Sequence, residues 1–167
     1  MRKVLVIGCP GAGKSTFARR LHGIVGLPLH HLDLLFWNED KTFVPASIFK
    51  GRQEKILNTD NWIIDGNYES TLERRLLFAD TIFFLDYPLD VCIAGVKERS
   101  GKFRPDLPWK ENENDETFEE LVSFIRDFHK SGRQKISALL GTCSGKEVYH
   151  FKSRDEATMY LNALCQK

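Results

Sequence analysis

The sequence predicts an α/β fold in which a parallel sheet is wrapped by helices. Three observations lead there. Short apolar runs, several rich in β-branched residues, alternate with segments of helical spacing. The runs are short and apolar enough to be buried on both faces, as in a parallel sheet. The first run also passes through a glycine-rich turn directly into a helix.

Taken in order, Lys3–Ile7 (KVLVI) is the first strand, and Thr16–Leu21 is a helix that ends near Gly23 or Gly26. Leu29–Leu32 is a short second strand. Ser47–Leu57 has helical spacing, with Ile48, Phe49, Ile56 and Leu57 as its apolar positions. Asn61–Asp65 (NWIID) is a third strand, followed by a helix that bears Arg74 and Arg75, and Asp80–Asp86 is a fourth. Pro88 suits the first turn of a helix running to about Arg99. Residues 100–115 are polar, contain prolines and a glycine, and read as a loop. Thr117–Lys130 places Phe118, Leu121, Val122, Ile125 and Phe128 on one helical face. Gly132 is read as the break after it, with Gln134–Leu140 as another short helix. Glu147–Phe151 (EVYHF) is a fifth strand, and Ser153–Glu156 (SRDE) is a capping box that opens the last helix.

The 167 residues suit a single domain, 1–167. With 24 basic and 23 acidic residues the formal net charge is +1, and no basic stripe stands out. Direct DNA binding is therefore not expected. The longest apolar runs are too short to span a bilayer, and the opening residues read as a strand rather than a signal peptide. The four cysteines, Cys9, Cys92, Cys143 and Cys165, form no CxxC pair and signal neither a disulfide framework nor a zinc site. A reducing cytoplasm is the expected setting.

The stretch Gly8-Cys9-Pro10-Gly11-Ala12-Gly13-Lys14-Ser15 fits G-x-x-x-x-G-K-[ST] at every fixed position, between a strand and a helix. Glycines let backbone N–H groups curl around a phosphate, and the helix N-terminus that begins near Thr16 adds its positive dipole end. Lys14 reaches the β- and γ-phosphates of ATP, and the Ser15 hydroxyl is a ligand for Mg²⁺. Cys9 sits where backbone amides would lower a thiol pKa, or else fills space as a small residue. Two strands end in an acid, Asp65 and Asp86; the Gly66 that follows Asp65 favours Asp65 as the second magnesium-side group.

GCPGAGKST, HHLDLLFW, WIIDGNY, ADTIFFLDYP and RSGKFRPD together resemble the small bacterial P-loop proteins described as topology-modulation or flagellin-regulation related. Those in turn are similar to adenylate kinases and other nucleoside monophosphate kinases. The resemblance implies a strand order of 2-3-1-4-5 and a mobile lid near residues 100–115. It makes Asp65 the magnesium-side acid. Asn67 and Tyr68 stand where an acceptor-gripping arginine would follow, so that grip passes to Arg74 or Arg75, the pattern favouring Arg75. Gly95 and Arg99 occupy the places of two phosphate-facing arginines. Arg104 falls inside the lid, Arg133 in the segment after it, and Lys152 and Ser153 beside the adenine. The need for such arginines is physical: phosphoryl transfer spreads negative charge that fixed cations must neutralise.

Asp33 lies just past the second strand. It suits a general base for a hydroxyl acceptor, or the N-cap of the next turn. His30 and His31 point to opposite faces of a strand and do not suit one metal ion. Phe36 and Trp37 suit base stacking or core packing. Two functions are carried forward. One is an ATP-dependent kinase of a small, nucleotide-like molecule, with Lys14, Asp33, Arg99, Arg104 and Arg133 as catalytic candidates and Asp33, Asp65, Asn67 and Arg75 as acceptor contacts. The other is an ATP-dependent regulatory protein that affects DNA topology or gene expression.

Overall fold

A computed structural model describes residues 1–102, 104–109 and 117–166. The element order is β1 (Lys3–Gly8), α1 (Lys14–Val25), β2 (Leu29–His31), α2 (Leu32–Phe36), α3 (Ala46–Leu57), β3 (Trp62–Asp65), α4 (Glu69–Phe78), β4 (Thr81–Leu85), α5 (Leu89–Arg99), α6 (Thr117–Asp127), α7 (Arg133–Gly141), β5 (Glu147–Phe151) and α8 (Arg154–Cys165). One five-stranded parallel sheet has the order β2-β3-β1-β4-β5. This is the order that the family resemblance implied.

β1 is central because its residues pair on both sides: Val6 is level with Asp65 of β3, and Gly8 with Leu85 of β4. Val4, Leu5, Val6 and Ile7 are fully buried, as a strand covered by helices on both faces demands. The in-register ends of β1, β3 and β4 bring Gly8, Asp65 and Asp86 to one sheet edge. This carboxyl edge, where the strand order reverses, is where α/β folds gather ligands. β5 departs from the expectation of double burial. It is an edge strand whose Glu147, Val148 and His150 are exposed, and only Phe151 is buried.

Three local readings are corrected. The residues after β2 form a short helix, α2, which starts at Leu32 and so takes the last residue expected of the strand. Gly132 does not break a helix: at φ −60° and ψ −41° it is helical, and a π-turn over Phe128–Gly132 joins α6 to α7. The capping box is shifted on one side. Ser153 Oγ accepts from Glu156 N (3.2 Å), but the Glu156 carboxylate accepts from Lys152 N (2.7 Å) rather than from its capping partner. Of the expected lid, Phe103 and residues 110–115 lie outside the described residues. No helix among the described residues is long and apolar enough to cross a membrane.

Candidate active site

The loop from Gly8 to Ser15 leaves β1 and returns as α1 with three glycines at positive φ: Gly8 (149°), Gly11 (81°) and Gly13 (86°). Contact as well as conformation requires two of them. A Cβ on Gly11 would lie 1.9 Å from the Cys92 carbonyl oxygen, and one on Gly8 would lie 2.4 Å from that of Leu85. The loop is therefore pressed against β4 and the start of α5. Ala12 N donates to Cys9 O (3.1 Å), closing the turn, and Lys14 Nζ donates to the same oxygen (3.1 Å).

Above the loop lies a cavity of about 460 Å³, bounded by Gly11–Ser15, Arg99, Arg104, Asp106 and Arg154. Lys14, Ser15, Arg99 and Arg104, chosen from sequence, thus meet around one space, and Thr16 lines it too. Arg154 and Asp106 join them unforeseen. Arg154 explains Gly95. A Cβ at that position would stand 2.1 Å from Gly11 O and 2.6 Å from Arg154 Nη2. The space beside Gly95 is already filled by the phosphate loop and by a guanidinium from the first turn of α8. Asp106 accepts from Ser15 Oγ (3.0 Å), Arg104 Nη2 (2.6 Å) and Arg19 Nη1 (3.4 Å). Burial works against its charge, but the hydrogen bond and charge of Arg104 and the hydrogen bond from Ser15 together lower its pKa to about 2. The segment 104–109 also reaches the other side of the site: Trp109 meets Trp37 edge-to-face with centroids 5.6 Å apart.

Asp33 sits on α2 and accepts a 2.7 Å hydrogen bond from Tyr68 Oη. Burial pushes its carboxyl above the usual range; the Tyr68 hydrogen bond and the charges of Lys14 and Arg104 oppose that shift, while Asp65 adds to it. It does not cap α2, whose N-cap position is His31. Asp65 is buried. Its Oδ2 pairs with His31 Nδ1 at 2.8 Å, while Oδ1 is buried without a hydrogen-bond partner among the described residues. His31 is thereby tied to Asp65, whereas His30 has its pKa lowered by burial. Phe36 and Trp37 belong to an aromatic cluster with Phe43, and Phe36 also packs on Phe49 and Tyr68.

Three placements differ from expectation. Asn67 clasps the phosphate loop: its Oδ1 accepts from Gly8 N (2.9 Å) and its Nδ2 donates to Gly8 O (2.7 Å). Arg75 is fully buried. It donates to the carbonyls of Gly66 (2.8 Å), Tyr68 (3.1 Å) and Asn67, and so shapes the β3–α4 turn. Arg133 and Lys152 do not line the cavity above the loop. Both hold Asp86, Arg133 through two nitrogens (2.6 and 2.9 Å) and Lys152 through Nζ (2.6 Å), and His150 joins them at 2.7 Å. Burial opposes the charge of Asp86, yet these three partners hold its carboxyl far below the usual range. Of the two readings of Cys9, the buried small filler is the one the structure favours. A hydrogen bond with Cys92, and then burial, push its thiol pKa up.

Oxygen donors suit Mg²⁺. Ser15 Oγ and the Asp106 carboxylate that accepts from it supply two of them, and Asp65, at the end of β3, keeps Oδ1 without a hydrogen-bond partner among the described residues.

No family model and no curated protein matches the chain. Solved structures do. A shikimate kinase from Acinetobacter baumannii, in complex with shikimate, superposes with a TM-score of 0.61 at 15% identity, covering 99% of this chain and 94% of that one. A gluconokinase from Sinorhizobium meliloti 1021 gives 0.56 at 14%, covering 99% and 94%. A shikimate kinase from Bacteroides thetaiotaomicron gives 0.56 at 15%, covering 98% and 95%. At this identity the likeness is one of fold: the five-stranded 2-3-1-4-5 sheet with its flanking helices is shared across nearly the whole chain.

Proposed function

We propose that the chain transfers the γ-phosphoryl group of ATP to a small acceptor that bears a hydroxyl group. The observation that carries this reading is the pairing of a phosphate cradle with Asp33, a carboxyl of raised pKa within the field of Lys14 and Arg104. The amides of Gly11–Ser15 and the Lys14 ammonium hold the polyphosphate. Ser15 and Asp65 would hold Mg²⁺, with Asp106 beside them; when bound, the ion neutralises charge on the phosphate oxygens. Arg99, Arg104 and Arg154 face the same cavity and offset the charge that spreads over the moving group. Asp33 takes the proton from the acceptor hydroxyl as the new O–P bond forms. Its raised pKa makes it a stronger base than an ordinary aspartate. Tyr68 orients it by hydrogen bonding to Oδ1.

The comparisons support the reading without naming the acceptor, since the neighbours are described as shikimate kinase and gluconokinase. A duplex DNA partner gains no support from a net charge of +1.

The test is a screen of sugar acids, other hydroxy acids, nucleosides and nucleoside monophosphates for acceptor-dependent ADP formation. Lys14→Ala should abolish turnover. Asp33→Asn should lower kcat with ATP binding retained. With the wild type, the acid limb of kcat/KM should fall at a pH above the ordinary carboxylate value of about 3.9. An ATP turnover that ignores every acceptor and survives Lys14→Ala would overturn the proposal.

A further inference from the structure

Below the phosphate loop, three side chains that lie far apart in sequence meet. Cys9 follows the end of β1, Cys92 lies in the first turns of α5, and His129 lies in the π-turn between α6 and α7. The two thiol sulfurs and a ring nitrogen of His129 all lie within 4.8 Å of one another. Both cysteines are 0% exposed. His129 Nε2 is buried and has no hydrogen-bond partner among the described residues. The phosphoryl-transfer chemistry uses none of the three side chains.

Two sulfurs and an imidazole nitrogen are the donor set of zinc-type sites, with Zn–S near ~2.3 Å and Zn–N near ~2.0 Å. In a tetrahedral arrangement those bond lengths put neighbouring ligand atoms roughly 3.5 Å apart. A separation of at most 4.8 Å therefore needs only small side-chain movements. A dication with two thiolates and a neutral imidazole carries no net charge, which suits a buried position.

We propose that Cys9, Cys92 and His129 bind one borderline-soft divalent cation of the zinc type, with the fourth position open toward a second cavity. That cavity, of about 370 Å³, is lined by His129, Tyr87, Asp86 and Arg133, so His129 is the ligand on the side of entry. Loading balances as one M²⁺ bound and two thiol protons released to solvent. The bound ion ties the phosphate loop to α5 and to the α6–α7 segment. Cys9 is also the residue whose carbonyl accepts from Lys14 Nζ and Ala12 N, so the ion fixes the loop from below.

The test uses the reduced, metal-free full chain titrated with Co²⁺. One equivalent should bind, with thiolate-to-cobalt charge-transfer absorption and the visible bands of a tetrahedral ion. Zn²⁺ should displace it, and about two protons should be released per ion. Cys92→Ser and His129→Gln should each weaken binding by at least about a hundredfold, in chains whose circular dichroism is unchanged. Cys143→Ser and Cys165→Ser should leave it intact. The proposal falls if millimolar Co²⁺ gives no charge-transfer bands, or if the bands survive Cys92→Ser. It also falls if the reduced chain takes up no cobalt while mild oxidation closes a Cys9–Cys92 disulfide, seen as a loss of two hydrogens by mass. These readouts do not involve ATP, so they stand apart from the fate of the kinase reading.

Discussion

Gly95→Ala is the substitution on which helix propensity and packing disagree in sign. In a helix interior, alanine is favoured over glycine by about 0.8–1 kcal/mol. At Gly95 the new methyl would stand 2.1 Å from Gly11 O, a backbone atom of the phosphate loop, and 2.6 Å from Arg154 Nη2. The guanidinium is the far end of a flexible side chain and can swing aside. The carbonyl can move only with the loop or with α5, and such overpacking costs about 1–3 kcal/mol. Taking roughly 2–3 kcal/mol for a contact this short, and subtracting the propensity gain, gives a net loss of about 1–2 kcal/mol. In a chain of this size that lowers Tm by about 2–8 °C. Gly23→Ala in α1 is the matched control, since no atom lies within 4 Å of its added methyl. It should raise Tm by a few degrees through propensity alone. The assay is thermal unfolding of both variants, with ATP titration calorimetry alongside, and Gly95→Ala should also weaken ATP binding because the loop is displaced. If Gly95→Ala stabilises as Gly23→Ala does and binds ATP unchanged, the account of α5 against the loop is wrong.

The other predictions concern polar anchors. Asn67→Ala leaves both backbone groups of Gly8 without their side-chain partner, and should cost about 1–3 kcal/mol in denaturant unfolding. Arg75→Ala removes the donor to three turn carbonyls and should cost about 3 kcal/mol or more. Its neighbour Arg74 holds Glu54 in an exposed pair, and Arg74→Ala should change stability far less than Arg75→Ala does. Asp86→Asn should destabilise at neutral pH. The folded-state pKa of Asp86 is depressed, so its contribution is present above the unfolded value of about 3.9 and is lost as pH falls below it. The stability gap between wild type and variant should therefore hold steady from pH 7 down to about 5 and narrow as the pH is taken below about 4.

What could be read in the sequence was what depends on near neighbours along the chain. The cradle is a run of eight residues whose glycines, lysine and serine each answer a local need, and the structure gathers its amides and Lys14 at one cavity. Arg75 shows a signal that was present but overlooked. On α4 it follows Leu72 by three residues and precedes Leu76, so it falls on the buried stripe while Arg74 faces out. Gly132 misled because glycine is a weak helix former, yet a π-turn absorbs the extra residue without ending the helix. Arg154 and Asp106 could not be placed at all. Their meeting with Gly95 and Ser15 depends on how α8 and the 104–109 segment fold back over the loop, and no local pattern encodes that. The same holds for Cys9, Cys92 and His129, whose spacing follows no ligand motif.

The π-turn that carries the chain from α6 into α7 leaves no swivel between them. His129 sits within that turn and Arg133 is the first residue after it. A tilt of this single beam shifts both side chains in step, one beneath the phosphate loop and the other on the Asp86 carboxylate at the neighbouring strand end. His129 and Arg133, which line one cavity, are thus carried on a single lever.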